Sequence, residues 1–501
     1  MKKRIAVWAS IAGMAITPAA SWAAEPDQAT RDKIDRMFEE WRLDAHVPGL
    51  IYGIVQDGRL VAVKGFGVQD PGGAPQPVTA DSLFRIASMS KAFTALAILK
   101  LRDDGKLLLD APAETYVPEM RGWKYPTKDS RKITVRDLLN HVAGYVTDDP
   151  WGDRHQPLPE KDFSALLKAG VPFAQAPGSR MEYSNLGYAT LGRIVTNTSG
   201  KRFQDYIRDT ILTPLGMTST GYDIAKSPAE RRAIGYRWQD NSWVREPDMA
   251  DGAFGAMGGL QTSAADYAKW VAFLLSAWPP RDDADTGPVK RATVREIVQG
   301  SNFVGAGMRP AEVGGAPCRQ ARAYGMGWRV IEDCDLGRVL THGGGYPGYG
   351  SNVTLMPDKG VGVFVFTNRT YAGPANPAFK AALTLKAANL IPDREEPVGA
   401  TLTEGYATAK DIWQAGNVTV ADGKLALNFL MDRDAAHWKA KLADVKAVVG
   451  DCAASEPVQA ESALGGSFTW ACTHGRIKGR VLLAPEATPM LQALSFDVLE
   501  P

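Results

Sequence analysis

The stretch Phe84-Arg85-Ile86-Ala87-Ser88-Met89-Ser90-Lys91 leads into an apolar run over residues 92–99, and the interpretation of the whole chain starts from it. The apolar spacing predicts a helix that begins near Ser88. Residues three positions apart share a helix face, so the Lys91 amine can lie beside the Ser88 hydroxyl. A helix N-terminus favours a developing oxyanion and a lowered lysine pKa. The pair predicts a serine nucleophile with a lysine base, although an N-cap serine followed by an exposed lysine fits the same residues.

A second motif, Tyr183-Ser184-Asn185, precedes the helical pattern at 186–198. A tyrosine with a cationic neighbour can act as a phenolate base, and an asparagine two residues later can hold a lysine and a substrate amide. The alternative for Tyr183 is a core tyrosine at a helix start.

A third motif, Thr341-His342-Gly343-Gly344-Gly345, ends a short β-rich run. Glycines on an edge strand allow a substrate backbone to approach closely. The alternative is a glycine-rich turn that carries a surface histidine.

In this order the three motifs resemble those of the serine β-lactamase and penicillin-binding-protein-like family, in its class C β-lactamase and D-peptidase branch. The stretches 137–141, 258–260 and 324–328 also look like the framework of that family, and the likeness covers roughly residues 30 to 390. The resemblance implies an α/β (α+β) fold: an antiparallel sheet of five or more strands, flanked by helices, with an all-helical subdomain.

The resemblance also implies roles for individual residues. Ser88 would be acylated, Lys91 and Tyr183 would share the base role, Asn185, His342 and Gly344 would bind and orient the substrate, and the backbone N–H groups of Ser88 and Gly345 would form the oxyanion hole. Each donor of such a hole is typically worth about 3 kcal/mol. No metal or other cofactor is expected.

His342 stands where β-lactamases of this family usually carry lysine. Histidine has an ordinary pKa of about 6.5, so it is mostly neutral at pH 7 and anchors a carboxylate weakly. This favours a peptidase or amidase acting on D-amino-acid-containing or cell-wall-like peptides. A carboxylesterase or class C-like β-lactamase remains an alternative, as does a penicillin-binding sensor or scaffold with little turnover. Specificity is expected in loops at 145–157, 246–255 and 301–323.

The strand pattern supports one antiparallel sheet. A hairpin around Asp57-Gly58 is predicted at 49–67, and β-rich runs return at 338–341, 351–356 and 361–367, with helices between. A charged, proline-containing boundary near 391–397 separates a predicted hydrolase domain, 24–392, from a small α+β accessory domain of unknown role, 397–501.

The N-terminus predicts export. Lys2, Lys3 and Arg4 precede an apolar run and a small-x-small site, so residues 1–23 are expected to be a signal peptide cleaved near Ala23-Ala24, which gives a periplasmic or secreted protein. In an oxidising compartment the four cysteines allow three disulfide pairings. The sequence-local pairing is preferred: Cys318 with Cys334 and Cys452 with Cys472.

The overall charge excludes some partners. The 501 residues carry 57 basic and 56 acidic side chains, with no basic stripe for nucleic acid and no polybasic membrane anchor. No segment after the signal is long and apolar enough to span a bilayer. A small-molecule or peptide substrate is the expected partner, and the sequence specifies no oligomeric state.

Overall fold

The computed structural model describes residues 25–73, 75–309, 317–392 and 394–499. The predicted signal peptide, 1–23, lies outside the described residues. Within those residues, no helix is long and apolar enough to cross a membrane.

The strands are, in chain order, β1 (Gly49–Gln56), β2 (Arg59–Gly67), β3 (Leu83–Arg85), β4 (Tyr236–Gln239), β5 (Ser242–Arg245), β6 (Gln261–Ser263), β7 (Asn302–Arg309), β8 (Cys318–Tyr324), β9 (Arg329–Asp333), β10 (Gly337–Tyr346), β11 (Tyr349–Met356), β12 (Val361–Thr367), β13 (Cys452–Ala453), β14 (Gln459–Ser462), β15 (Gly465–Cys472), β16 (Gly475–Leu483) and β17 (Leu491–Leu499). Eight of them form the main antiparallel sheet, in the order β2-β1-β12-β11-β10-β9-β8-β7. The predicted antiparallel sheet is therefore confirmed.

The α-helices are α1 (Gln28–Asp44), α2 (Lys91–Asp103), α3 (Val135–Leu139), α4 (Asp149–Arg154), α5 (Glu160–Ala169), α6 (Asn185–Ser199), α7 (Phe203–Ile207), α8 (Gly255–Gly258), α9 (Ala264–Leu275), α10 (Arg291–Glu296), α11 (Ala375–Ala387), α12 (Ala400–Ala415), α13 (Phe429–Asp432) and α14 (Ala435–Val449). Helices α1 and α11 share one apolar core with β1 and β12. A second apolar core includes residues of α2, α6 and α9 together with other side chains of the same sheet.

The first hairpin forms where the sequence predicts it. Asp57 and Gly58 have φ angles of 47° and 78°, the left-handed pair that a tight two-residue hairpin turn requires. At the sheet centre, β11 and β12 are buried along their whole length. Strand β12 is accordingly almost entirely apolar, whereas β11 also buries Ser351, Asn352 and Thr354.

The loop expected at 301–323 is wrong in part, because β7 and most of β8 lie there and pair with each other at one end of the sheet. The ladder is irregular between Phe303 and Gly305. A bulge of this kind breaks the two-residue alternation by which a strand is recognised in a sequence.

Helix α2 is buried on every side: its residues 91–99 and Leu101 are all buried. A helix buried all round lies in the middle of a large domain. Helix α2 contacts α6 and α8, and the turn before it packs against β10. The start of α2 therefore lies between the helices and the sheet.

The C-terminal segment has its own core. Helices α12 and α14 contribute to it together with β15, β16 and β17, from Leu402 to Phe496. The predicted disulfides are both present, Cys318–Cys334 and Cys452–Cys472. The division into a hydrolase domain and an accessory domain stays a prediction. A separate accessory domain would require a core of its own, and the C-terminal segment has one.

Candidate active site

Ser88 lies in a tight turn rather than in the first turn of the α-helix. A 3-10 helix, Ala87–Ser90, leads into α2. Ala87 has a φ of 49°, a left-handed conformation that costs a non-glycine residue of order 1 kcal/mol. Ser90 holds the turn, since its hydroxyl donates to the Ala87 carbonyl at 2.7 Å and accepts from the Leu260 N–H at 3.1 Å.

Lys91 is fully buried and has three hydrogen-bond acceptors. Its Nζ lies 3.1 Å from Ser88 Oγ, 2.7 Å from Asn185 Oδ1 and 2.9 Å from the Met257 carbonyl oxygen. The structure therefore brings together Ser88, Lys91 and Asn185, as the sequence predicts. An ammonium group has three protons to donate, and each has a partner here.

Burial lowers the pKa of Lys91 to about 8, because the charged form loses its hydration; the carboxylates Asp149, Asp153 and Asp148 act against this shift. The amine can therefore lose its proton close to neutral pH and serve as a base. Asp149 is also linked to Lys91 through Asn185, since the Asn185 Nδ2 donates to Asp149 Oδ1 at 3.1 Å while the Asn185 Oδ1 accepts from Lys91. The amide of Asn185 thus lies between the lysine and a carboxylate.

The start of α6 is fixed by hydrogen bonds to a neighbouring loop. Asp148 accepts from the backbone N–H groups of Asn185 at 2.6 Å and Leu186 at 2.9 Å. The Ser184 hydroxyl accepts from the Gly187 N–H at 3.2 Å and so caps the helix. Side chains that satisfy the free donors of the helix end thus hold the second motif in place.

Tyr183 lies beside both Ser88 and Lys91. The Lys91 Nζ is 4.9 Å from the centre of its ring. Burial raises the pKa of the Tyr183 phenol well above its ordinary value, and its interaction with the Ser88 side chain acts in the other direction. The phenol therefore keeps its proton in the free protein. The base roles of Tyr183 and Lys91 both stay predictions, and these pKa shifts favour Lys91 over Tyr183 as the first proton acceptor.

The third motif brings β10 against the Ser88 turn. A Cβ atom placed on Gly344 would lie 2.3 Å from the Ile86 carbonyl oxygen and 2.1 Å from Ser351 Oγ, so only glycine fits. The sequence predicted that the glycines lie on an edge strand and serve the approach of substrate. The edge-strand prediction is wrong, because β10 pairs with β11 on one side and with β9 on the other. At Gly344 the close approach is between β10 and the Ser88 turn of the protein itself.

His342 is buried and uncharged. Burial, with help from the nearby charges of Lys91 and Arg329, lowers the pKa of His342 to about 3. Its Nδ1 lies 2.7 Å from the Gly343 carbonyl oxygen and its Nε2 lies 3.2 Å from the Tyr324 hydroxyl. His342 is therefore neither a surface histidine nor a cation, and both of its ring nitrogens are already hydrogen-bonded.

A pocket of about 620 Å³ opens beside Tyr183, and Tyr324, Thr341 and three arginines also line it. Of these arginines, Arg309 pairs with Asp333 at 3.1 Å, and Arg322 contacts the Gln320 amide oxygen at 2.9 Å. Arg329 lies across from Thr341 in the ladder. Its side chain is exposed and has no ion pair with any residue that the structure describes.

Sequence reasoning missed several of these groups. The Met257 carbonyl is a backbone atom, so no side-chain pattern marks it, and Asp149 and Arg329 belong to no motif used above. His141 and Tyr324 stand inside the framework stretches 137–141 and 324–328, which are the signal that could have found them. For Gly345 the oxyanion role stays a prediction.

The beta-lactamase family model matches residues 29–387. Among curated proteins, Protein flp of Staphylococcus aureus (strain N315) is 29% identical over 350 residues, covering 68% of this chain. The chain spans 63% of the length of that relative. The D-alanyl-D-alanine-carboxypeptidase/endopeptidase AmpH of Escherichia coli (strain K12) is 27% identical over 379 residues, which is 74% of this chain and 92% of AmpH.

Two solved structures share the fold. The octameric penicillin-binding protein homologue from Pyrococcus abyssi has a TM-score of 0.60 at 21% identity and covers 94% of this chain and 96% of its own. The D-alanine carboxypeptidase AmpC from Burkholderia cenocepacia has a TM-score of 0.54 at 22% identity, over 72% of this chain and 99% of its own. The first of these likenesses extends over the C-terminal segment as well.

Adjacent glycines of the third motif provide a matched test of the contact between β10 and the Ser88 turn. We expect Gly344→Ala to lower the free energy of unfolding by about 1–3 kcal/mol, the usual cost of overpacking, because the new Cβ meets backbone and a buried hydroxyl. Gly343→Ala is the control, since its nearest neighbour would be 3.8 Å away. Denaturant unfolding of both variants measures the difference, and equal losses would contradict the packing described.

Proposed function

The chain belongs to the beta-lactamase family, and on that premise we propose that it is a serine hydrolase, an exported peptidase that forms an acyl-enzyme on Ser88. Its proposed substrates are D-amino-acid-containing or cell-wall-like peptides with a free C-terminal carboxylate. The observation that carries the proposal is the buried Lys91, hydrogen-bonded to Ser88 Oγ at 3.1 Å.

The proposed reaction has two stages. Neutral Lys91 accepts the Ser88 hydroxyl proton as Oγ attacks the substrate carbonyl carbon, and the oxyanion forms beside the backbone N–H groups of Ser88 and Gly345. The leaving amine takes a proton from the Tyr183 phenol, which regains one from Lys91. Water then attacks the acyl-enzyme and gives one proton back to Ser88 Oγ through the same two side chains. The peptide acid and the free enzyme result.

The charges around the pocket support an anionic substrate group. His342 is neutral, so the third motif itself supplies no positive charge. Arg329 does, at the wall of a pocket that Tyr183 also lines. A guanidinium suits a carboxylate because its N–H groups match the two oxygens. A C-terminal carboxylate beside Arg329 would lie in the pocket that Tyr183 also lines, and the relative AmpH is named as a carboxypeptidase.

Two further observations support export. The charged and apolar pattern of residues 1–23 is typical of a signal peptide. Structural disulfides form and persist in oxidising compartments, and this chain has two of them, Cys318–Cys334 and Cys452–Cys472. The periplasm or the extracellular space would supply both the disulfide chemistry and the cell-wall-like substrates.

The nucleophile is tested by trapping the acyl-enzyme. We expect incubation of the mature protein with a β-lactam to add one acyl group to Ser88, measured by mass spectrometry, and Ser88→Ala to show none. Turnover of a D-alanyl-D-alanine peptide, nitrocefin and a p-nitrophenyl ester by the same preparation ranks the substrate classes. A permanent adduct without turnover of any of them would favour a sensor and contradict the peptidase.

Lys91 makes the rate depend on pH. Only the neutral amine is a base, so kcat/KM should rise about tenfold per pH unit below pH 8 and level off above the Lys91 pKa of about 8. Lys91→Arg is the matched variant, because arginine keeps the charge and cannot deprotonate. We expect this variant to lose activity at every pH, and a pH-independent wild-type rate would exclude Lys91 as the base.

Arg329 makes the rate depend on the substrate carboxylate. A charged hydrogen bond is worth about 1.5–3 kcal/mol, so Arg329→Gln should lower kcat/KM about 10- to 100-fold for a peptide with a free C-terminus. It should change little for the C-terminal amide of the same peptide. Arg319→Gln, which removes an exposed arginine of β8 outside the pocket lining, is the control. Equal losses for the acid and the amide would contradict the proposed anchor.

A further inference from the structure

A chain of buried hydrogen bonds runs behind Tyr183 and joins the second motif to the third. The Ser184 N–H donates to His141 Nδ1 at 3.1 Å, and His141 Nε2 lies 3.2 Å from the Tyr324 hydroxyl. The same hydroxyl lies 3.2 Å from His342 Nε2, and His342 Nδ1 lies 2.7 Å from the Gly343 carbonyl oxygen. His141, Tyr324 and His342 are all buried.

The two ends of this chain fix the direction of every hydrogen bond. The Gly343 carbonyl can only accept, so His342 carries its proton on Nδ1 and leaves Nε2 as an acceptor. The Tyr324 hydroxyl therefore donates to His342. At the other end, a backbone N–H can only donate, so His141 Nδ1 is bare and its Nε2 carries the proton toward Tyr324. Both ends require one donor and one acceptor at the single Tyr324 hydroxyl, so they agree.

A proton added to either imidazole would break this arrangement. A cationic His342 would direct its Nε2–H at the Tyr324 hydroxyl, so that this hydroxyl could no longer donate to His342. A cationic His141 would set an N–H against the Ser184 N–H at 3.1 Å. Both histidines are therefore neutral, and they are opposite tautomers.

The charged groups around the chain also favour the neutral forms of His141 and His342. Burial lowers the pKa of both histidines, and so do the positive charges of Lys91 and Arg329 that face them. Asp149 is the carboxylate that acts on Tyr324 and Tyr183, and the neighbouring phenols Tyr183 and Tyr188 keep their protons because burial raises their pKa values.

His141 also holds the backbone on both sides of Tyr183. Its carbonyl accepts from the Glu182 N–H at 2.7 Å, and its ring accepts from the Ser184 N–H at 3.1 Å. The rings of His141 and Tyr183 have centres 4.3 Å apart. A displacement of the His141 ring would therefore move the Tyr183 phenol relative to Ser88.

We propose that His141 and Tyr324 are positioning residues of the hydrolase, and that the neutral chain His141–Tyr324–His342 locks Tyr183 and strand β10 into one unit. The inference rests on the proposed role of Tyr183 in proton transfer. It gives a physical reason for histidine at position 342. A lysine ammonium has no acceptor for the Tyr324 proton, so it cannot close this chain.

The tautomers are measured on the free protein. The chain has six histidines, few enough to resolve by 15N-detected NMR of the histidine-labelled enzyme. We expect His342 to be protonated only at Nδ1 and His141 only at Nε2, both unchanged from pH 8 to pH 5. An imidazolium at either position above pH 5, or the same tautomer at both, would overturn the proposal.

Kinetics test the consequence. Tyr324→Phe removes one hydroxyl and is expected to lower kcat about tenfold with KM little changed, and to let at least one histidine titrate above pH 5. Tyr267→Phe is the matched control, because Tyr267 is a buried tyrosine of α9 that takes no part in the chain from His141 to His342. Thermal unfolding of both variants separates a kinetic loss from loss of folded protein.

The outcome for Tyr183 separates this inference from the proposed function. A fully active Tyr183→Phe would overturn the proton relay itself, and with it the purpose of the chain. An impaired Tyr183→Phe beside a fully active Tyr324→Phe would overturn the positioning role alone. If a high substrate concentration restored the full rate of Tyr324→Phe, the loss would lie in KM and not in kcat. This result would also contradict the positioning role.

Discussion

A buried ammonium group is the constraint around which the active site is arranged. Transfer of an unpaired charge into a protein interior costs many kcal/mol, so Lys91 is tolerated only because each of its protons has an acceptor. The acceptors are the Ser88 hydroxyl, the Asn185 amide and the Met257 carbonyl. They come from the turn before α2, from α6 and from α8, and the packing of these helices brings them to one point. The residual cost of burial is what lowers the lysine pKa to a useful value.

In the third motif, the residue that contacts the groups around Ser88 is not the residue that carries the positive charge. A lysine at position 342 would both contact the catalytic groups and attract a carboxylate. Here His342 does only the first, as a neutral residue with both nitrogens hydrogen-bonded. The positive charge lies instead on Arg329, one strand further along the sheet. Specificity for a carboxylate can then change on β9 without disturbing the groups around Ser88.

The sequence predicted the parts of the fold and site that depend on local spacing. The hairpin at Asp57-Gly58, the two disulfides and the approach of Lys91 to Ser88 all follow from residues close together in the chain. The contact of Asn185 with Lys91 needed the family resemblance, since the residues are far apart in sequence. What could not be predicted depends on backbone atoms or on three-dimensional packing. The Met257 carbonyl has no sequence signature, and the burial that makes His342 neutral is a property of the assembled sheet and the residues packed on it.

The origin of the three Lys91 acceptors has a consequence for when the protein can act. Residues 88, 185 and 257 are joined only when the helical part has folded, and Gly344 reaches the Ser88 turn only when the late strands have joined the sheet. A nascent or unfolded chain therefore has a serine without a base, held by no neighbouring strand. Activity is a property of the finished fold, so a newly made chain would carry its nucleophile in latent form until folding is complete.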